Sequence, residues 1–338
     1  MQRLTNYKKL KAYTVQEQPQ ETILKTHFIT IQENIPLSDK NWFKSGGNAR
    51  FFCEPTTSLE FQQALQFAQL HKLEIFILGE GANILISDDG FDGLVIKPQL
   101  KDITIITKDD LHATVQAGAG VRFHDLITFC LNNNLTNLEE FSGIPGNVGG
   151  CIYINIHYYE FLLDQFLTEA QVIHHQTAEI ITVKPEWFNF GYDQSKLQNK
   201  EYYLINATFK LKVVDHLETS YAQGRHKEII RHRERRYPTQ GTCGSFFRNF
   251  HPQEVANTPK KLIYVAYYLD KIGIKGELAI GDAMVSHQHA NMLVNKGKAT
   301  STDLINLASQ MQKMVYQSFN IKPQAECQLV GFKTNPLE

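Results

Sequence analysis

Three glycine-rich loops in fixed order constrain this chain most: LGEGANILISDDGFDGLVI at residues 78–96, AGAGV at 117–121 and FSGIPGNVGG at 141–150. In the first, Gly79 and Gly81 follow a short apolar run, residues 74–78, that reads as a strand. Glycines there let backbone N–H groups approach a diphosphate closely. The dinucleotide fingerprint G-x-G-x-x-G opening a helix does not fit, because residues 84–87 read as extended. A doubly wound nucleotide fold is therefore disfavoured. Any one of these loops alone is more often a tight turn, but together they point to one phosphate pair.

The remaining pattern is α+β. Residues 51–53 read as a strand, Thr57 and Glu60 form a capping box, and Phe61, Ala64, Leu65 and Ala68 share a helix face. Short strands are predicted at 103–106, 111–116, 171–174 and 179–183, and in the alternation Ile205, Ala207, Phe209, Leu211, Val213. One helix interrupts them, with Phe123, Ile127, Cys130 and Leu131 on a face. A charged helix follows over 225–236, and another opens at Thr300 with Leu304, Leu307, Ala308, Met311 and Val315 inward. The 338 residues exceed the usual single core. The expected division is a flexible extension (1–25), a first lobe (26–97), a second lobe (98–224) and a third (225–338).

Lys plus Arg number 34 against 35 Asp plus Glu, so no global field draws the chain to nucleic acid or anionic lipid. Five scattered cysteines without Cys-x-x-Cys spacing suggest neither a disulfide framework nor zinc, and fit a reducing compartment. The polar start lacks a signal-peptide core, and no apolar run reaches membrane-span length. The expectation is a cytoplasmic protein with small-molecule partners, no nucleic acid, no membrane and no protein partner.

Taken in order, residues 78–96, AGAGVRFHDL and GIPGNVGG resemble the FAD-binding motifs of UDP-N-acetylenolpyruvoylglucosamine reductases. The likeness runs from NWFKSGGNARFF at 41–52 to LVGF at 329–332. It implies a two-lobed FAD-binding domain of the vanillyl-alcohol-oxidase (PCMH) type followed by an α+β substrate-binding domain. Residues implied to hold FAD are Asn41, Gly79, Glu80, Gly81, Ala82, Asn83, Ile84, Gly118, Gly120, Ser142, Gly143, Gly146, Asn147, Gly149 and Gly150.

The loop GTCGSFFRN resembles the family segment whose serine protonates the substrate carbon, which implies that role for Ser245. Hydride addition to an enolpyruvyl ether leaves a carbanion-like centre that needs such a donor. A lone serine after glycine is otherwise a turn residue or cap. Glu326, in IKPQAECQLVGF, matches the glutamate beside the substrate carboxylate. Arg236 matches a basic position contacting the UDP diphosphate; Arg248, Asn249 and Tyr159 are further substrate-binding candidates. His287 and His289 read as alternating on a strand, a weak metal pattern without a carboxylate or thiolate partner, so no metal is expected.

Two departures stand out, beside a third at KLIYVAYYLDKIGIKG (261–276), where the family usually has a shorter helix before its Gly-x-Lys-Gly turn. The family's Tyr-Arg-x-Ser is here Tyr192-Asp193-Gln194-Ser195, an acid in place of a guanidinium. After Gly150, CIYINIHYYEF keeps Asn155 and Tyr159 but lacks the glycines around the tyrosine. Arg248, Lys196 and Arg236 are candidates to replace the missing cation. The resemblance implies NADPH-dependent reduction of a UDP-sugar enolpyruvyl ether to UDP-N-acetylmuramate, in peptidoglycan precursor synthesis. The alternatives are another FAD oxidoreductase of this fold, or a non-catalytic FAD- or UDP-sugar-binding protein.

Overall fold

The computed structural model describes residues 28–239 and 241–338. The expected N-terminal extension lies outside them. The first lobe contains β1 (Gln32–Pro36), β2 (Asn48–Cys53), helix α1 (Ser58–Leu70), β3 (Ile75–Ile77), β4 (Ile84–Ile86) and β5 (Phe91–Ile96). Four of its strands form a sheet in the order β1-β2-β5-β3, antiparallel at β1-β2 and parallel elsewhere. α1 starts where the Thr57 side chain accepts the Glu60 N–H at 3.1 Å. The Glu60 carboxylate reaches one residue further back than in a capping box, accepting from the Thr56 N–H at 2.6 Å. Phe61, Ala64, Leu65 and Ala68 then pack in one cluster with Leu94 and Ile96 of β5.

The second lobe contains β6 (Ile103–Lys108), β7 (His112–Gly118), helix α2 (Phe123–Asn132), β8 (Leu135–Thr136), helix α3 (Val148–Tyr153), β9 (His157–Tyr158), β10 (Phe161–Leu162), β11 (Leu167–His174), β12 (Ile180–Val183) and β13 (Tyr202–Val213). An antiparallel sheet runs β12-β11-β13-β7-β6, with β8 on the end of β13, and β9-β10 form a separate hairpin. Ala207, Phe209 and Leu211 of β13 face the core with α2 and α3. Ile205 departs from that alternation. A register shift opposite Gln171 and Val172 leaves it without a partner on β11 and turns it into the first lobe's cluster beside Phe61. With Ile173 and Ala178 it joins the two lobes there.

The third part contains α4 (His216–Arg236), α5 (Val265–Lys271), β14 (Ala279–Ile280), β15 (Ala283–Val285), β16 (Leu293–Asn295), α6 (Ser301–Phe319) and β17 (Gln328–Val330). α4 begins earlier than the charge pattern indicates and runs through residue 224, where the sequence places a lobe boundary. Asp215 caps it by accepting the Glu218 N–H at 2.8 Å, and Ala222 is buried in the second lobe's core. The polar composition of its first turns hides that anchoring.

α6 opens with a reciprocal box between Thr300 and Asp303, both bonds at 3.0 Å. Asp88 of the first lobe also accepts the Ser301 and Thr302 N–H groups, each at 2.8 Å. β17 returns to pair in parallel with β4, Gln328 opposite Ile84 and Val330 opposite Ile86. Among the described residues, no helix is long and apolar enough to cross a membrane.

Candidate active site

A cavity of about 750 Å³ is walled by loop 79–84, residues 145–147 and 149–151, β3, and residues 328–333. The loop and residues 328–333 meet because β4 pairs with β17. Among the described residues, no hydrogen bond uses the backbone N–H groups of Glu80, Gly81, Ala82 or Asn83. A cavity wall with unpaired donors fits an anionic diphosphate. Two buried acceptors near the loop, Asn41 Oδ1 and Asn83 Oδ1, also lack partners within the chain. The loop tolerates no side chain at Gly81: φ is +69°, and a Cβ would stand 2.6 Å from Asn41 Cα and from the Lys40 carbonyl oxygen. At Gly79 a Cβ would meet Asn147 Oδ1 at 2.9 Å. These residues fit the diphosphate of FAD.

The 141–150 loop is committed only in part. The N–H groups of Val148, Gly149 and Gly150 are already taken by Val121 O, Ala119 O and Asn147 Oδ1, at 2.8, 2.9 and 2.8 Å. Gly149 and Gly150 therefore shape the wall, while among the described residues the N–H groups of Gly146 and Asn147, like those of residues 80–83, make no hydrogen bond. Gly118 and Gly120 lie behind it, where a Cβ would strike Leu100 O and Pro98 O. Ser142 is fully buried and does not line the cavity; its hydroxyl bonds to the Glu139 carbonyl and to His226 Nδ1, the latter at 2.7 Å. Gly143 accepts from Arg233 Nε at 3.0 Å, tying this loop to α4. Asn41 holds loop 37–45 with its amide on Leu37 O (2.7 Å) and Ser45 O (2.9 Å).

Ser245 and Glu326 sit on segments paired side by side. Glu326 donates its N–H to Phe246 O at 2.9 Å, Arg248 donates to Gln324 O at 3.0 Å, and Phe247 bridges Ala325. Buried Asn291 clamps the serine loop from the other side. Its Oδ1 accepts from Phe247 N at 3.0 Å, and its Nδ2 donates to Phe247 O at 2.7 Å. Among the described residues no hydrogen bond ties down the Ser245 hydroxyl. Glu326, two residues before the cavity-lining Gln328, has its carboxyl pushed up to about 8, first by burial and then by the charge of Asp193.

Tyr192 and Asp193 arrive on a tight turn closed by Gly191 N–H to Gln194 O at 3.0 Å. Asp193 occupies its left-handed position, φ +54°, which aspartate tolerates better than most residues. The Tyr192 hydroxyl lies against Asn249, and burial followed by Asp193 raises it above the usual phenol value. His157 stands across from this turn, its Nδ1 3.4 Å from Asp193 Oδ1 and its ring 4.4 Å from that of Tyr192. Sequence reasoning missed His157. The one signal was its place in CIYINIHYYEF: the two departures from the family pattern are in contact.

The three candidate replacement cations are engaged elsewhere. Arg248 forms a two-point ion pair with Glu254 at 2.8 and 2.9 Å. The Lys196 ammonium sits 4.4 Å from the Trp187 ring centre, and Arg236 lies over Tyr237 at 5.6 Å. Tyr159 is exposed at a hairpin turn, φ +53°, with its ring against Tyr158. His287 and His289 occupy the turn between β15 and β16, not a strand: Met292 N–H bonds back to His289 O at 3.1 Å. No metal-binding cluster occurs among the described residues.

An FAD-binding domain family matches residues 49–184, the region that builds the cavity's donor loop. Fold and site together define an FAD-containing oxidoreductase. The UDP-N-acetylenolpyruvoylglucosamine reductase C-terminal domain family matches residues 236–330. A reductase of that name from Listeria monocytogenes serotype 4a (strain HCC23) is 32% identical over 91% of this chain and 98% of its own. One from Synechococcus sp. (strain JA-3-3Ab) is 31% identical over 91% and 93%. The chain belongs to the UDP-N-acetylenolpyruvoylglucosamine reductase family. The crystal structure of the reductase from Thermus caldophilus superposes with a TM-score of 0.72 at 24% identity, covering 90% of this chain and all of that one, a likeness of fold.

Proposed function

We propose that this chain reduces the enolpyruvyl group of UDP-N-acetyl-3-O-(1-carboxyvinyl)glucosamine to UDP-N-acetylmuramate with NADPH, in cytoplasmic peptidoglycan precursor synthesis. The observation that carries the reading is the pairing of the Ser245 loop with the Glu326 segment, two residues from the wall of the FAD cavity. FAD held by loop 79–84 would supply the hydride chemistry, from NADPH to the terminal carbon of the enolpyruvyl double bond. The adjacent carbon, which carries the ether oxygen and carboxylate, is left electron-rich and needs one proton. Ser245, with its hydroxyl unengaged, donates that proton.

Glu326 retains its proton at neutral pH because it is buried and faces Asp193. It donates a hydrogen bond to the substrate carboxylate as negative charge builds there, which stabilises the transition state more than the ground state. Tyr192 and Asn249 flank that carboxylate. Arg236, in the basic last turn of α4, takes the diphosphate, and Tyr159, on the β9-β10 turn, is a further substrate contact. Five free, buried cysteines suit the reducing cytoplasm.

Replacing Ser245 by alanine tests this assignment. Flavin reduction by NADPH should proceed nearly as in the parent, while reoxidation by the enolpyruvyl substrate slows about 10²–10⁴-fold. Equal slowing of both half-reactions would instead mean a displaced flavin and would remove Ser245 from the proton-donor role.

A further inference from the structure

The proposed substrate brings a carboxylate to a place already holding two acids, Asp193 and Glu326. Arg248, Lys196 and Arg236 are engaged by Glu254, Trp187 and Tyr237. Among the described residues, the group within ion-pair distance of Asp193 that can turn positive is His157, whose Nδ1 is 3.4 Å from Asp193 Oδ1 and whose ring rests on Tyr192. Nδ1 is buried, and no well-directed hydrogen bond satisfies it. The pair is within ion-pair distance but misaligned, as acid–base pairs often are before substrate binds.

We propose that His157, held and charge-balanced by Asp193, is the cationic donor that admits the substrate carboxylate in this chain. This rests on the reductase reading above. With Nδ1 committed to Asp193, Nε2–H is the remaining donor of the ring. Asp193 is thereby a positioning residue with two effects: it holds the imidazole through Nδ1, and its charge keeps the Glu326 proton in place. One acid inserted beside a histidine does the work of a fixed cation, but only while the histidine is protonated.

The surrounding ionisable groups support this assignment. From the 191–194 turn come Tyr192 and Asp193, with Glu326 behind them. The short turn Glu139–Phe141, packed beside β9, carries Glu139 and Glu140. Burial pushes the Glu139 carboxyl up, and Glu140 is paired with Arg225 at 3.0 Å. The hairpin itself carries Tyr158, Tyr159 and Glu160, and Asp164 follows it. Among described residues, Asp193 is the carboxylate within ion-pair distance of the His157 ring.

The test is steady-state kinetics of the FAD-loaded protein with the enolpyruvyl substrate across pH, for the parent, His157→Gln and Asp193→Asn. In the parent, KM should rise with pH as His157 gives up its proton. His157→Gln should raise KM about ten- to hundredfold at low pH, the scale of a lost charge-assisted hydrogen bond, and abolish that pH dependence. kcat should fall less than KM rises. Asp193→Asn should loosen the ring and raise KM, and Asp193→Arg should rescue His157→Gln. Flavin content and the NADPH half-reaction report whether each variant is folded. A His157→Gln protein that is folded and turns over with parental KM at every pH overturns the proposal while leaving the reductase reading intact. A parent that never oxidises its reduced flavin with this substrate overturns that reading itself.

Discussion

The Glu326 N–H donates to the Phe246 carbonyl at 2.9 Å, so the acid and the residue following Ser245 are fixed by one backbone bond. The Ser245 loop and Glu326 cannot drift apart without breaking it. Asn291, fastened to Phe247 through both ends of its amide, holds the same loop from β16's side.

Asn291→Ala should therefore impair the substrate half-reaction more than cofactor binding. It leaves the Phe247 N–H and C=O without partners, a cost of about 1–3 kcal/mol for each buried group. Chemical denaturation measures that loss. Flavin content should remain near parental, because Asn291 does not line the FAD cavity.

Glu326 sets a pH dependence of its own. With its carboxyl raised to about 8, flavin reoxidation at saturating substrate should be constant below that value and decline above it. Stopped-flow measurement with Glu326→Gln, which keeps an N–H donor but cannot titrate, should show no such decline. The linked effect on stability has a definite sign. A raised folded value contributes stability that is fully present below the unfolded value and lost as pH climbs towards about 8. Glu326→Gln should thus gain Tm relative to the parent as pH rises.

Gly81→Val should yield protein without bound flavin. The added Cβ meets backbone of residues 40 and 41 at 2.6 Å in a left-handed conformation. Absorbance of the purified protein, with circular dichroism to establish folding, measures this; a folded yellow variant would contradict the role given to loop 79–84.

Asp88 joins the first lobe to the start of α6. Partial burial pushes its carboxyl up, but hydrogen bonds from Thr302 and Ser301 outweigh that and lower it. Asp88→Ala should cost about 1–2 kcal/mol, the upper range for a lost helix cap. The stabilisation is present above the unfolded carboxylate value and lost as pH falls through the lowered folded one. The Tm difference between parent and variant should accordingly shrink in acid.

What the sequence made legible follows local chemistry. The Thr300 cap and the inward series Leu304, Leu307, Ala308, Met311, Val315 depend on neighbours a few residues away and stand as expected; at Gly79 and Gly81 the structure leaves no room for a Cβ. Pairings across the chain were not legible. β17 joins β4 across more than two hundred residues, and nothing in LVGF says so. Ile205 follows perfect alternation yet turns over at a bulge whose partner lies on β11. Ser142 matches a cofactor-loop pattern but spends its hydroxyl on His226 of α4. His157 was hidden for the same reason: its meaning depends on Asp193, on a different turn.

The central claim is best tested by one single-turnover experiment. Protein loaded with FAD and reduced anaerobically with one equivalent of NADPH is mixed with UDP-N-acetyl-3-O-(1-carboxyvinyl)glucosamine, and flavin absorbance and product are followed together. The account predicts full return of oxidised flavin with an equal amount of UDP-N-acetylmuramate. Reduced flavin that persists in the presence of this substrate, yet reoxidises when oxygen is admitted, would contradict it.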